Sequence, residues 1–392
     1  MIRYYKYQKL WTTLRVLMVA VMVLVLTAMR FEWEIFNISA REFFWMLLIP
    51  LMVYTIFFAV GLWRNICPLA TFNLFNWVFW WRKKMERQGP RINQLTGWRL
   101  PFYNFVKRKG LLISAIAFWV IVPSRLILSD LHPQFGFWAL ILMFAVAFVM
   151  GLIFPVKSGW CTALCPVSAA EKAYSINPSI QIKNNRCHYK LPKTGAISNC
   201  NNCSFNCMDV REPEHAYWLE QDTKVMHDSV NARMRKLFIS VFPGFILSYY
   251  VIAPRLLYFD GYTVKTFAYL YLSFLPAMLI AVAVYEVLKL LKRLQIDMRR
   301  NLPRPEGQYD ESYLQFKRRL DMLYITLAFG IYFYYTSNYI FTRMLTRMFS
   351  ISNSESQIIF YIGLAVVYSL MLQGLKSGWN ELDKGRYQPS WW

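Results

Sequence analysis

The residues best suited to chemistry are the cysteines. Cys187 is followed by the run Cys200-Asn-Asn-Cys203-Ser-Phe-Asn-Cys207. A bacterial four-iron cluster is commonly held by C-x2-C-x2-C-x3-C, and Cys200, Cys203 and Cys207 match its last three positions. The first expected cysteine falls at Ile197, so Cys187 would serve from further upstream. A cubane offers four irons at tetrahedral corners. Short Cys-x-x-Cys turns bind neighbouring corners, and a remote thiolate closes the fourth. Asn201, Asn202 and Ser204 suit tight turns that aim backbone N–H groups at cluster sulfurs. The same four thiolates, or three of them with His188, could instead clamp a structural zinc ion, or remain unligated.

A second constellation is Cys161-x3-Cys165-Pro166 together with Cys67-Pro68. The segments Gly61-Leu-Trp63-Arg-Asn-Ile66-Cys67-Pro68 and Gly159-Trp-Cys161-Thr-Ala-Leu164-Cys165-Pro166 align on their Cys-Pro pairs. This is an internal repeat of helix plus Cys-Pro turn, and duplication of this kind often places a shared site between the copies. Pro166 and Ser168-Ala-Ala-Glu171 read as a helix start with a capping box. Cys165 is then expected near a helix N-terminus, where partial positive charge favours a thiolate or an anionic cluster. The three thiols could hold a second iron–sulfur cluster, or Cys161 and Cys165 could form a redox-active pair. Buried thiols acting as small hydrophobes are the plain alternative.

These cysteines must be positioned by a membrane framework. Of 392 residues, 56% are hydrophobic and only 17% charged, against about 25% charged in soluble domains. Eight apolar segments reach the length of about 20 residues that a spanning helix needs: 11–29, 44–62, 111–129, 136–154, 237–254, 264–288, 321–342 and 357–375. The first follows Arg3, Lys6 and Lys9 and reads as a retained signal-anchor. The net charge of +22 lies mainly in alternate loops. Arg82, Lys83, Lys84, Arg87 and Arg91 follow the second segment, and Lys289, Lys292, Arg293, Arg299 and Arg300 follow the sixth. The positive-inside pattern puts both termini in the cytoplasm of a bacterial inner membrane. No nucleic-acid motif accompanies the charge, so nucleic-acid binding is not expected. Phe72 to Trp81 suits an interfacial helix. The fold expected is all-α, with eight transmembrane helices and a cysteine-rich cytoplasmic loop between the fourth and fifth. That gives a four-helix half (1–154), a loop domain (155–236) and a second four-helix half (237–392).

Absences sharpen the reading. His132, His188, His215 and His227 all lie outside mid-helix positions, so no bis-histidine haem is expected within the bilayer. There is no Walker P-loop. Arg125 and Glu286 lie near helix ends and read as snorkelling side chains. The methionines are scattered without a repeated pair.

Transmembrane helices followed by Cys161-x3-Cys165-Pro166, with the ferredoxin-type group at Cys200, Cys203 and Cys207 nearby, resemble the NosR/NapH-type membrane iron–sulfur proteins. The resemblance covers about the first half of the chain. Its first motif is met only at Cys67 and Pro68, since Trp63 stands at the leading cysteine position. It implies an electron-transfer (oxidoreductase) subunit passing electrons between a quinol or a cytoplasmic donor and a partner redox protein. The basic inner surface suits an acidic ferredoxin or flavodoxin, and other redox or membrane-complex subunits are expected partners beside the bilayer. The rivals are a zinc-clamped assembly or structural subunit and a thiol-based copper-handling protein.

Overall fold

In the computed structural model the described residues are 8–73, 75, 97–131, 133–153, 160–174, 189–190, 197–198, 230–252, 264–299 and 311–383. They are almost entirely helical. Among them, six helices are long and apolar enough to cross a membrane: Leu10–Phe31, Ala40–Ala59, Lys109–Leu128, Gln134–Ile153, Val264–Met298 and Asn353–Asn380. The protein is thus a helical, multi-pass membrane protein. The two other segments read as spans also form helices, over Val230–Val251 and Glu311–Asn338, with more polar composition. The chain divides into two compact units, one built on Met1–Ile121 and Leu128–Trp218, the other on Val122–Ile127 and Leu219–Gln388.

In the first unit, α1 (Gln8–Phe31) runs into a two-residue hairpin, β1 (Glu34–Ile35) with β2 (Ile38–Ser39). Phe36 and Asn37 connect the strands with φ of 53° and 60°, the paired left-handed values of a tight hairpin turn. Ser39 accepts the Glu42 N–H at 3.2 Å and starts α2 (Ala40–Phe43). A π-helical turn, Phe44–Leu48, leads into α3 (Ile49–Ile66), whose backbone leaves helical geometry at Ala59. The short α4 (Pro68–Asn73) follows, then α5 (Arg99–Leu131) and α6 (Pro133–Ile153). Of the stretch read as an interfacial helix, residues 74 and 76–81 lie outside the described residues; what is described at its start is the end of α4. A second π-helical turn, Trp160–Leu164, precedes α7 (Val167–Tyr174), and β3 (Tyr189–Lys190) pairs antiparallel with β4 (Ile197–Ser198). Val25, Ala28 and Met29 of α1 bury against Phe44, Leu140 and Phe144, so the segment read as a signal-anchor packs into this unit's core.

The second unit packs α8 (Val230–Val251) against α9 (Val264–Arg299) and α10 (Glu311–Asn338). A π-helical turn (Tyr339–Met344), α11 (Leu345–Phe349) and α12 (Asn353–Asp383) follow, and α12 covers α10. Helical periodicity places Phe238, Phe242, Phe245 and Tyr249 on one buried face of α8. Phe238 stacks on Phe242 and Phe245 on Phe274, with centroids 5.2 and 5.0 Å apart. Close approach is made possible by Gly244: a Cβ there would lie 2.1 Å from the Ala277 carbonyl oxygen on α9.

Candidate functional site

The two Cys-Pro pairs occupy equivalent places, each a break between two helical segments. Cys67 ends α3, donating its N–H to the Trp63 carbonyl at 2.8 Å, and Pro68 opens α4. Cys165 ends the second π-helical turn, donating to the Trp160 carbonyl at 2.8 Å, and α7 follows Pro166. Each cysteine carbonyl then accepts from the next helix, Cys67 from Thr71 N–H and Cys165 from Ser168 N–H, both at 3.0 Å. Proline fits here because a helix start has no partner for its missing N–H.

Packing between the copies is reciprocal. The short helix after the first cysteine, α4, lies on α6, the long helix before the second motif. The short helix after the second cysteine, α7, lies on α3, the long helix before the first. Asn73, fully buried at the end of α4, donates to the Ala147 carbonyl at 2.9 Å. A Cβ on Gly151 would meet the Asn73 carbonyl oxygen at 1.9 Å, so only glycine fits. The repeat read from sequence is therefore a repeat in structure.

This exchange brings Cys67, Cys161 and Cys165 into one apolar cluster with Ala70, Ala147 and Trp160. Met143 and Met150, one helical face of α6, pack on the same cluster. Buried Ser114 on α5 donates to the Cys165 carbonyl at 2.7 Å and pins the turn. None of the three thiols is in a disulfide.

Two expectations are corrected. The cap of α7 is not Ser168, which lies inside the helix with its side chain fully buried; the Cys165 sulfur instead faces the backbone N–H groups of Val167 and Ser168. Nor is the Cys165 thiol acidified. Burial, with Cys67 and Glu171 adding, pushes it up to about 12, outweighing those two N–H groups. Desolvation of a thiolate here exceeds what one short helix terminus returns. Burial therefore disfavours the Cys165 thiolate when no metal is bound. The sulfur donors and the N–H groups facing Cys165 suit an iron–sulfur centre, but no group of three or more His, Cys, Asp or Glu side chains among the described residues converges to hold a metal ion.

Cys187, Cys200, Cys203 and Cys207 lie outside the described residues. The hairpin between them does not. Tyr189 pairs with Ser198 and Lys190 with Ile197. The pairing begins two residues after Cys187 and ends two residues before Cys200.

Sequence reading missed a second constellation, in the other unit. Arg235, Lys289, Lys317 and Asp321 are each at most 6% exposed, and Tyr285 is fully buried. The Tyr285 hydroxyl donates to Asp321 Oδ1, joining α9 to α10. Lys289 Nζ lies 2.8 and 2.7 Å from the two oxygens of Glu286, and Lys236 Nζ lies 3.8 Å from Glu286 Oε1, joining α8 to α9. Burial pushes the Lys317 ammonium below the usual lysine range, opposed by nearby Asp321 and reinforced by Lys236 and Arg235. Glu286, read as a snorkelling residue, is one member of this network. The only sequence signal was the cationic loop flank itself, which reads as ordinary positive-inside charge.

No family model matches the chain, and no curated protein or solved structure matches it.

Proposed function

We propose that this chain is an eight-span bacterial inner-membrane electron-transfer protein of the NosR/NapH type, with both termini cytoplasmic and a 4Fe–4S cluster on Cys187, Cys200, Cys203 and Cys207. The observation that carries this reading is the β3–β4 hairpin. The weakness of the cysteine pattern is the gap of twelve residues between Cys187 and Cys200. A hairpin folds that gap back on itself. The pairing supports Cys187 as the fourth ligand, because it holds the residue two positions after Cys187 beside the residue two positions before Cys200. The reciprocal packing of the two Cys-Pro copies supports the same family reading.

In this reading the cluster takes one electron from a quinol or from a ferredoxin or flavodoxin and returns it to a partner redox protein. Cys67, Cys161 and Cys165 form a separate sulfur site. A second iron–sulfur centre there requires the three thiolates to draw together around it, with one ligand from elsewhere. A second reading of that site rests on Met143 and Met150. Two thioethers beside three thiols make a soft-donor set of the kind that selects monovalent copper.

Metal analysis of anaerobically purified protein, with EPR before and after dithionite, decides between these. About four irons and four sulfides per chain are expected, and a count near eight adds the second centre. Copper bound at the thiol–thioether site, lost on Met150→Leu, supports the soft-donor reading. Zinc without iron and without an EPR signal overturns electron transfer and leaves a structural clamp.

A further inference from the structure

The charged network of the second unit gathers toward one end of a three-helix bundle: the first turns of α8, the last third of α9 and the first third of α10. Among the described residues three ammonium groups, Lys236, Lys289 and Lys317, share two carboxylates, Glu286 and Asp321, beside the buried Arg235. Asp321 already accepts from Tyr285, and two ammonium groups converge on the single carboxylate of Glu286. Lys236 and Lys289 repel each other across it. Burying an excess of like charge is costly unless an anion compensates it. Among the described residues the network is open at Lys236 and Glu286, whose side chains are 41% and 51% exposed, whereas that of Lys289 is 7% exposed.

The surroundings of that opening identify the anion. Leu275, Leu279 and Leu290 form an exposed apolar stripe along α9 on the face that carries Glu286. A ligand that matches both features carries negative charge at one end and hydrocarbon at the other. Basic pockets between helices at a membrane face bind anionic headgroups in this manner.

We propose that this end of the α8–α9–α10 bundle is a binding site for an anionic phospholipid, its phosphate taken by Lys236 and Lys289 with Lys317 and Arg235 behind them, and its acyl chains lying along α9. The proposal is independent of the iron–sulfur reading. Glu286 acts as a stand-in anion that competes with the headgroup for the two lysines.

Native mass spectrometry of the full-length protein in detergent tests it, with phosphatidylglycerol, phosphatidylcholine and inorganic phosphate as probes. Wild type retains phosphatidylglycerol in preference to phosphatidylcholine, and inorganic phosphate does not displace it. Lys236→Gln lowers retention about fivefold, the factor expected for one basic group near an anionic headgroup, and Glu286→Gln raises it. Both side chains are at the opening, so both variants fold. Equal retention of phosphatidylcholine overturns the proposal, as does no change in either variant or a change of the same sign in both. Displacement by inorganic phosphate overturns the lipid as occupant.

Discussion

The first unit buries sulfur and the second buries charge, and the two choices have opposite costs. Cys67, Cys161 and Cys165 sit among alanine, leucine, methionine and tryptophan side chains. Buried thiols in such surroundings act as small hydrophobes, and a metal would bind them only by displacing their protons. Arg235, Lys289, Lys317 and Asp321 bring charge into the fold instead, and burial already holds the Lys317 ammonium below the ordinary lysine range. The second site depends on its countercharges wherever its lysines are protonated.

The largest effects break the comparison outright. Cys203→Ser removes the iron and the colour, whereas Cys161→Ser leaves about four irons in place if the loop holds the only cluster. Iron, sulfide and EPR on both variants separate the two sulfur sites. Loss of iron from both variants would make them one centre.

In the second unit, Asp321→Asn deprives Lys317 and Arg235 of a countercharge and costs about 3–5 kcal/mol, the usual penalty for leaving a buried charge uncompensated. The sign of its pH dependence follows from Lys317, whose ammonium is already held below the ordinary lysine range. The folded state there binds fewer protons than the unfolded chain, so raising pH relieves the cost. The deficit of Asp321→Asn against wild type is full at neutral pH. It narrows as pH rises to the folded-state pKa of Lys317 in wild type, which lies below the ordinary lysine value, and stays constant above it. Thermal unfolding across pH 7–10 checks it, and a deficit constant with pH would assign the loss to the Tyr285 hydrogen bond instead.

The two regions also differ in how far they could be read from sequence. The Cys-Pro repeat was legible because its signal is local: glycine, aliphatic, cysteine and proline recur within eight residues. Apolar runs likewise located the helices, including the two more polar ones at Val230–Val251 and Glu311–Asn338. What stayed hidden was tertiary. Arg235, Tyr285 and Asp321 come from three helices, and each reads alone as flank charge or as an interfacial aromatic. The cap on α7 was misread because Ser168 is the stronger capping residue by type, while the turn at Pro166 delivers the Cys165 sulfur first. The thiol's direction of shift was misread for a related reason: helix position is visible in sequence, desolvation is not.

Next in size are the two glycine contacts, one in each unit. Gly151→Ala and Gly244→Ala each force a methyl group into a backbone carbonyl, and overpacking of this kind costs about 1–3 kcal/mol. Their consequences diverge. Gly151→Ala pushes α4 away from α6, so it opens the sulfur cluster and accelerates alkylation of Cys67 and Cys161. Gly244→Ala loosens α8 from α9 and leaves the thiols as slow as in wild type. Equal alkylation rates in both variants would show that the sulfur cluster does not depend on the reciprocal packing.

The smallest effect concerns the turn itself. Ser114→Ala removes the hydroxyl that donates to the Cys165 carbonyl. A buried acceptor left alone costs about 1–3 kcal/mol, but this carbonyl keeps the Ser168 N–H at 3.0 Å, so a loss of about 1 kcal/mol is expected. Thermal unfolding reads that loss. Alkylation of Cys165 gives the sharper result, because the carbonyl bond and the sulfur position are fixed by the same peptide. If Ser114 only fills space, Ser114→Ala lowers the midpoint and leaves the alkylation rate of Cys165 unchanged. If Ser114 holds the turn that aims the sulfur at Val167 and Ser168, the rate rises, and Ser114→Thr, which restores the hydroxyl, brings it back.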